Sequence, residues 1–271
     1  MKINNAKIGT DPELFLYSPL YGKYVPVCGL VGGTKEKPIP INEENIGYSL
    51  QEDNVALEFT IPPATTKTEF INSINFVKNY ITETVLKPLE LIPHYVASAR
   101  FNEDDLSNPA AQHMGCSKSY DAWSFEEHQV DRSDYTLRTT GMHIHVGYDN
   151  PNDQTSIDII RAMDLFLGVP SVLIDKDIER KQLYGKAGCF RNKKYGVEYR
   201  SLSNFWLQDN GLMTWAWQST LEAIDFVNKG GIITNEDQIV DAINCYDKNL
   251  AMEILEDYRI TIPGYVNLHQ D

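Results

Sequence analysis

Four separate segments of the chain alternate between apolar side chains and side chains that are acidic, basic or histidine. In the first segment, Asp11 and Glu13 lie on one side of a predicted strand, and Leu14 and Leu16 lie on the other. An antiparallel sheet with one covered face and one open face produces this alternation. The sequence therefore predicts an α+β fold with a mainly antiparallel sheet, helices on one face and an open catalytic face. The four segments are residues 8–17, 51–61, 136–149 and 196–206.

Helical periodicity replaces the strand pattern after the second segment. Thr66, followed three residues later by Glu69, is a capping box, and an apolar stripe at helical spacing follows it. This helix is expected to cover the apolar face of the strands. Further helices are predicted within residues 155–175 and over most of 211–258. The polar, irregular stretch 102–135 is interpreted as a long functional or lid-like loop.

Length and charge limit the possible functions. The length of 271 residues fits one core, so residues 1–271 are predicted to form a single domain. A formal net charge of −14 disfavours nucleic-acid binding, because phosphate recognition needs clustered Lys and Arg side chains. No apolar run approaches the roughly 18 residues that span a bilayer, and the first residues lack a signal peptide's apolar stretch. A cytoplasmic protein without membrane partners is expected. The four cysteines are far apart and predict neither a zinc site nor a disulfide framework.

The open face of the predicted sheet would gather more acids than a solvated surface usually carries. Two carboxylates about 6 Å apart at an effective dielectric constant near 20 repel by roughly 3 kcal/mol, so several of them need cations to stay ionised. Oxygen ligands with a few imidazoles favour magnesium or manganese over zinc or copper. The candidate ligands are Asp11, Glu13, Glu52, Glu58, Glu198, His143 and His145.

The spacing of Asp11 and Glu13 predicts two metal ions. Residues i and i+2 of a strand lie about 7 Å apart, which suits two ions roughly 4 Å apart. Asp11 and Glu13 would then bind different ions. A divalent pair beside Arg200 suits phosphoryl transfer, in which charge on the moving phosphate is neutralised from several directions.

Each motif alone also has an ordinary structural interpretation. D-x-E and H-x-H pairs are more often solvated, and Glu198 with Arg200 could form a local ion pair. Glu52 is the weakest candidate ligand, because it could lie in solvent at a strand start. The glycine-rich turn from Gly29 to Lys35 could bind a phosphate through its N–H groups, or be a simple hairpin turn. Other basic residues could clamp phosphates or solvate a loop, namely Arg180, Lys186 and Arg191.

The conjunction of these motifs, in this order, is specific. The strands TDPELFLY, QEDNVALEF, TGMHIHVG and GVEYRSL resemble the metal-bearing strands of the glutamine synthetase and glutamate–cysteine ligase superfamily. A narrower likeness is to the phage-type amidoligases, the carboxylate–amine ligase type 2 family. It is carried by D-P-E, G-G-T-K, Q-E-D-N-x-x-x-E-F, G-x-H-I-H-x-G and the segment from Tyr184 to Leu202. This likeness extends over most of residues 8–207.

The resemblance implies an ATP-dependent ligase on a curved sheet like that of the glutamine synthetase catalytic domain. The substrate carboxylate would take the γ-phosphate to form an acyl phosphate, which an amine or ammonia would convert to an amide. Glu13 and Glu58 match the positions that hold the metal nearer the acceptor substrate. The metal between the ATP phosphates would be held by Asp11, His143 and Glu198. Magnesium or manganese would serve in both places.

The resemblance also suggests roles for the other polar side chains. Arg200 would stabilise the transferring phosphoryl group, and His145 would contact the substrate or a phosphate. Together with Glu198 and Arg191, these two residues form the predicted catalytic set. The predicted nucleotide contacts are the basic residues Lys35, Arg180, Lys186, Arg191 and Arg200.

Two other functions stay open at this point. A dinuclear metal hydrolase would use H-x-H and carboxylates to activate water without nucleotide. Such hydrolases usually place that pair on an early barrel strand, and the alternating strand–helix pattern of a barrel is missing here. A non-catalytic metal- or ligand-binding module is disfavoured by the intact acids. The carboxylate and amine substrates could be small molecules or peptides, the oligomeric state is not predicted, and the location would be a host cytoplasm if the chain is phage-encoded.

Overall fold

The first strand, β1, organises the sheet. In the computed structural model, which describes residues 2–112, 118–127 and 134–262, β1 spans Lys7–Ser18 and pairs with four other strands. The remaining strands are β2 (Lys23–Val25), β3 (Ile39–Pro40), β4 (Ser49–Asp53), β5 (Ala56–Thr60), β6 (Ile92–His94), β7 (Ser98–Arg100), β8 (Tyr120–Asp121), β9 (Leu137–Thr139), β10 (Met142–Gly147), β11 (Cys189–Lys193) and β12 (Gly196–Tyr199).

The main sheet is antiparallel throughout its described pairs. Its strand order is β3-β4-β5-β1-β10-β12-β11-β8, and β2 and β6 pair with the far end of β1. Strands β7 and β9 form a separate pair. The apolar residues Leu14 and Leu16 of β1 are fully buried in the main core, as their alternation predicts. The α+β prediction is confirmed at this level, and the likeness to the glutamine synthetase fold stays a prediction.

The three longest helices, α1 (Lys67–Tyr80), α3 (Asp153–Met163) and α6 (Asn210–Asn228), cover the apolar face of the sheet. The other described helices are α2 (Pro109–Gln112), α4 (Val169–Ile174), α5 (Glu179–Leu183), α7 (Glu236–Cys245) and α8 (Lys248–Asp257), with π-helices at Ile81–Leu86 and Asp164–Gly168 and 3-10 turns at Lys87–Leu89, Asp104–Leu106 and Asn204–Leu207.

The packing of α1 follows its sequence. The capping box of Thr66 and Glu69 is present, with both reciprocal hydrogen bonds. The apolar stripe buries Phe70, whose ring stacks on Trp206 with centroids 6.0 Å apart and lies 5.2 Å from the ring of Trp217. These contacts join α1 to the 3-10 turn at Asn204–Leu207 and to α6. Helices α4, α7 and α8 form a second apolar cluster beside the main core.

The segment QEDNVALEF forms a hairpin, whereas the sequence analysis interpreted it as one strand. Asn54, with φ of 60°, lies in the turn between β4 and β5, and Asp53 pairs with Ala56. In this register Gln51 lies opposite Glu58, so Asp53 shares a face with Glu58, and Glu52 belongs to the other face. Because of this two-residue turn, Asp53 lies on the open face and Glu52 does not.

The open face is closed at one end by part of the predicted loop 102–135. Phe101, Leu106 and Ala111 pack against Phe15. Phe15 follows Glu13 by two residues on β1, so both side chains lie on the open face. This stretch is therefore packed, with two short helices, where an irregular loop was expected. Residues 113–117 and 128–133 lie outside the described residues, so the lid role stays a prediction.

The helices and the cysteines bear on two expectations from the composition. Among the described residues, no helix has both the length and the apolar character needed to cross a bilayer. Cys28 and Cys245 are free thiols. Cys116 lies outside the described residues.

Candidate active site

The register of three strand pairs brings the predicted acids and histidines together. Asp11 lies opposite His143 across the β1–β10 pair, and Glu13 lies opposite Glu58 across the β1–β5 pair. Glu198 of β12 follows on the other side of β10, opposite His145. Residues that are directly opposite in an antiparallel pair share a face. These side chains therefore converge on the centre of the open face.

The potential metal ligands form two groups. We call Asp11, His145 and Glu198 the Asp11 group, and Glu13, Asp53 and Glu58 the Glu13 group. Within each group, one ligand atom from every member lies within 4.8 Å of the others. Asp11 and Glu13 fall into different groups, and their binding of different metal ions stays a prediction.

In the Asp11 group, Asp11 contacts both histidines. Its Oδ1 lies 3.0 Å from His143 Nδ1, and its Oδ2 lies 3.1 Å from His145 Nε2. Burial by itself would raise the pKa of Asp11, but the charges and hydrogen bonds of His145 and His143 hold it well below its usual value. Asp11 is therefore an ionised carboxylate at neutral pH.

Glu198 is fully buried and surrounded by cationic side chains. Its Oε1 forms an ion pair with Arg200 and lies 3.5 Å from Arg191 Nη1, and its Oε2 lies 2.5 Å from Lys193 Nζ. Burial, followed by the charge of Arg200, lowers the pKa of His143 to about 3, so this imidazole is neutral at neutral pH. Positive charge is thus concentrated on one side of the Asp11 group.

The Glu13 group consists of three carboxyl groups with little compensation. Glu13 accepts a hydrogen bond of 2.7 Å from the N–H of Gly141. Burial and the charge of Asp53 raise the pKa of Glu13 to about 8, and burial with the charges of Asp11 and Glu13 raises the pKa of Glu58 well above its ordinary value. Burial also raises the pKa of Asp53, although the charges of Lys35 and Arg200 oppose this rise.

Gly141 needs to be glycine at this point of the site. A Cβ atom there would lie 2.7 Å from His143 Nε2 and 3.2 Å from an Arg180 Nη2 atom. A side chain at this position would push the histidine away from Asp11. The close approach of Gly141 therefore fixes both the N–H donated to Glu13 and the place of His143.

Both groups fit a divalent cation. One ligand atom each from Asp11, His145 and Glu198 lies within 4.8 Å of the others, which is close enough for the three to share one ion. Without an ion, His145 Nε2 faces Asp11 Oδ2 at 3.1 Å, and Glu198 Oε2 faces Lys193 Nζ at 2.5 Å. The Glu13 group offers only carboxylate oxygens, which suit magnesium or manganese. Three adjacent, largely desolvated carboxyls also need protons or a cation to offset their repulsion.

A cavity of about 380 Å³ opens beside the Asp11 group. Its lining includes Asp11 and His145 of the Asp11 group, Glu58 of the Glu13 group, and Ile61, Pro63 and Tyr195. The Tyr195 hydroxyl is hydrogen-bonded to His145 Nδ1. Burial and then the charge of Asp11 raise the pKa of Tyr195 to about 12, so the phenol keeps its proton at neutral pH.

The structure contradicts Glu52 as a metal ligand. Its carboxylate accepts hydrogen bonds of 2.7–2.8 Å from the N–H groups of Gly29, Val31 and Gly32. The amides of the glycine-rich turn are therefore occupied by an internal anion, which also contradicts the idea that this turn binds a phosphate. The turn ends at Lys35, whose charge acts on Asp53 in the Glu13 group.

Arg180 is likewise misassigned as a nucleotide contact. Its guanidinium is buried and donates to the carbonyls of Thr140, Ser201 and Arg200. It braces the chain behind the site and is not directed into the open face. Lys186 contributes its carbonyl, which accepts from Ser201 Oγ at 2.7 Å, and its role as a nucleotide contact stays a prediction.

Four side chains of the site escaped the sequence analysis. Asp53 was missed because the turn at Asn54 was not recognised. Lys193 has the parity of Arg191 on β11, a segment interpreted as a loop. Tyr184 accepts from Arg200 Nε at 2.5 Å, with its ring 5.3 Å from the guanidinium carbons of both Arg180 and Arg200. Tyr184 and Tyr195 are both part of the motif that carries the family resemblance, but they were given no role, because only the tertiary structure brings their side chains to the site.

A protein-family model matches part of the chain. No curated protein is significantly similar to the chain. The match includes His143, His145, Glu198 and Arg200. It does not include Asp11 or any member of the Glu13 group. Residues 132–226 match the model of the family described as phage phiEco32-like COOH.NH2 ligase-type 2, which is the family that the sequence motifs resemble.

Proposed function

We propose that this protein is an ATP-dependent ligase that joins a carboxylate to an amine through an acyl phosphate, with two divalent metal ions. The family description names a ligase of carboxyl and amino groups. The observation that supports the ATP-dependent mechanism best is the pair of adjacent ligand groups on one face, one of which is bordered by Arg191, Lys193 and Arg200. Phosphoryl transfer needs this combination of metal ligands and fixed cations.

The proposed reaction has two steps. An oxygen of the substrate carboxylate attacks the γ-phosphorus of ATP, and the bond from that phosphorus to the bridging oxygen breaks to release ADP. The amine nitrogen then attacks the acyl carbon, its C–N bond forms, the C–O bond to phosphate breaks, and the amine gives up a proton. Magnesium or manganese ions, held by the Asp11 and Glu13 groups, would neutralise charge on the phosphates and the acceptor carboxylate.

The cationic residues around Glu198 have a defined part in this scheme. Arg200 is held by Glu198 and by the Tyr184 hydroxyl, so its guanidinium is fixed before substrate arrives. A preorganised cation stabilises charge that develops in the transition state without reorganising during the reaction. Arg191 and Lys193 add positive charge to the same side.

The cavity beside the Asp11 group is the proposed nucleotide site. Its volume of about 380 Å³ lies within the range of roughly 300–1,000 Å³ that small-molecule sites occupy. Gly9 and Gly147 also line it and project no side chain into it, and Pro63 and Tyr195 offer flat walls to a base. Phosphates would extend from this cavity towards His145, which leaves the Glu13 group for the acceptor carboxylate.

The test of this proposal is coupled product formation. We expect ADP and phosphate release to require magnesium or manganese together with a suitable acid and amine, supplied as mixtures whose products are identified by mass spectrometry. Glu58→Gln should lower this turnover by at least about a hundredfold, because it removes a ligand of the Glu13 group. Glu44→Gln, at an exposed site, is the matched control.

The outcomes of this experiment separate the candidate functions. Metal-dependent hydrolysis without nucleotide would replace the ligase with the dinuclear hydrolase. Full turnover in Glu58→Gln would remove the Glu13 group from the mechanism. Calorimetry with ATP, in the presence and absence of a chelator, measures independently whether nucleotide binding needs a divalent cation.

A further inference from the structure

Tyr195 lies between the cavity and the Asp11 group and contacts both. It belongs to the turn between β11 and β12, and its side chain is 47% exposed. Its ring lies 6.0 Å from that of His145, with planes inclined at 28°, and its hydroxyl is hydrogen-bonded to His145 Nδ1. The same side chain is a wall of the cavity. One residue therefore contacts the proposed nucleotide site and a candidate metal ligand at the same time.

The hydrogen bond between Tyr195 and His145 can be made in two ways. The hydroxyl can donate to Nδ1, in which case a neutral ring carries its hydrogen on Nε2, facing Asp11 Oδ2 at 3.1 Å. Alternatively, Nδ1–H donates to the phenol oxygen, and Nε2 presents a lone pair. Only the second arrangement allows Nε2 to bind a cation, because a ring nitrogen that carries hydrogen has no lone pair to offer.

The second arrangement changes what the phenol can do. When its oxygen accepts from Nδ1–H, the hydroxyl hydrogen no longer points to the histidine and is available to another acceptor. The side chain borders the cavity, so an occupant with an oxygen or nitrogen acceptor can take that hydrogen bond. Filling the cavity and binding a cation at Nε2 then favour the same arrangement.

We propose that Tyr195 is a positioning residue that couples nucleoside binding in the cavity to cation binding at His145. The inference rests on the proposed function, because it takes the cavity as the nucleotide site and the Asp11 group as a metal site. The coupling is reciprocal, since a nucleoside that tightens the cation must be tightened by the cation to the same extent. It would ensure that metal and nucleotide occupy the site together.

The coupling can be measured without turnover. The dissociation constant of Mn²⁺ is determined by electron paramagnetic resonance with and without saturating adenosine. Adenosine has no phosphate to bind Mn²⁺ and so does not confound the linkage. In the native protein we expect adenosine to lower the dissociation constant of Mn²⁺ at least about fivefold.

The variant Tyr195→Phe keeps the ring and loses the hydroxyl, so adenosine should bind to it and leave the Mn²⁺ affinity unchanged. The control variant Tyr21→Phe, at an exposed turn, should behave as the native protein.

A second variant guards against an indirect effect of the first. His145→Gln keeps the Tyr195 wall and removes the ring, so it should bind adenosine and show no coupling. Undiminished coupling in either Tyr195→Phe or His145→Gln would overturn the inference, as would a Tyr195→Phe protein that binds no adenosine.

The native protein alone separates this inference from the proposed function. Adenosine binding without an effect on Mn²⁺ would sink the coupling and leave the nucleotide site intact. No adenosine binding at all would overturn both the coupling and the assignment of the cavity.

Discussion

The Asp11 group and the Glu13 group lie on one face of the sheet, and their anchoring residues are two positions apart on β1, yet their charges are balanced differently. In the Asp11 group, histidines and basic side chains contact the carboxylates, and the pKa of Asp11 is held low. In the Glu13 group, the hydrogen bond to the carboxyl of Glu13 comes from a neutral N–H, and burial raises the pKa of Glu13 to about 8.

This difference shows how a site can be rigid in one half and dependent on its ligand in the other. Before any metal arrives, Asp11 is ionised, and Glu198 is already paired with Arg191, Lys193 and Arg200. The Glu13 group is stable in its protonated form and needs a cation to become fully ionised, because metal ligands must be deprotonated. The protein's own cations thus balance the negative charge of the Asp11 group, where the phosphates are proposed to bind. The negative charge of the Glu13 group, where the acceptor carboxylate is proposed to bind, is left for a metal ion to balance.

The largest effect expected from this comparison is on stability. Glu198→Gln leaves Arg200, Arg191 and Lys193 without their shared buried carboxylate, and breaking a buried ion pair costs roughly 3–5 kcal/mol. Urea unfolding at pH 7 with a chelator measures this loss. Glu58→Gln is the matched control, since it removes a carboxyl with a raised pKa and should not destabilise the protein comparably. Equal losses in the two variants would break the comparison.

The next effect is a pH dependence of stability that Glu13 causes. Its pKa is about 8 in the folded protein and about 4.5 as its ordinary value, so the folded state binds more protons between these limits. Stability from this group is therefore lost as pH rises through that window, by about 2 kcal/mol from pH 6 to pH 8. His143 and Lys181 titrate in the opposite sense, since burial lowers the pKa of each, to about 3 and about 7.

Glu13→Gln isolates this contribution, because the other titrating groups remain. The difference in unfolding free energy between the native protein and the variant should change with pH by that amount, measured by urea unfolding in a chelator at pH 6, 7 and 8. A pH-independent difference would mean that Glu13 is ionised without a metal, and that the two groups do not differ in the way described.

Metal binding should separate the groups by its dependence on pH. A cation that binds the Glu13 group displaces protons, so its affinity should rise with pH up to about 8, by as much as tenfold, or about 1.4 kcal/mol, per pH unit and proton. A cation at the Asp11 group should show less dependence, because Asp11 is already ionised.

Calorimetry of Mn²⁺ binding in buffers of different ionisation enthalpy counts the protons released. We expect one steep and one shallow site in the native protein, and only the shallow site in Glu58→Gln. Two sites with the same proton release would contradict the distinction between the groups.

The sequence predicted the Asp11 side of this comparison better than the Glu13 side, for a physical reason. Within one strand, parity alone places Asp11 with Glu13, and His143 with His145, because side chains alternate strictly. A tight turn resets that parity, so Asp53 escaped detection and Glu52 was misassigned. Such errors arise wherever a two-residue turn lies inside an apparently continuous strand.

Roles that depend on contacts distant in sequence were predicted less well. Arg180 was placed at the nucleotide because of its charge, but carbonyls of three residues bind its guanidinium in the core. Nothing local distinguishes a basic side chain that faces a ligand from one that braces the backbone. The family motifs and the charge pattern singled out Glu198, Arg200 and Arg191, whereas Lys193 emerged only with the β11–β12 pairing.

The smallest predicted effect tests which group receives the nucleotide. Lys193 Nζ lies 2.5 Å from Glu198 at the Asp11 group, and exposed Lys35 acts on Asp53 at the Glu13 group, so the two lysines form a matched pair of single charges. Lys193→Met should weaken binding of ATP with magnesium about fivefold, or about 1 kcal/mol, because a partly exposed charge contributes little more. Lys35→Met should leave that binding unchanged. Calorimetry of ATP binding to both variants distinguishes the two groups. If Lys35→Met weakens ATP binding and Lys193→Met does not, the phosphates lie at the Glu13 group. The acceptor carboxylate would then lie at the Asp11 group, where the protein's own cations are.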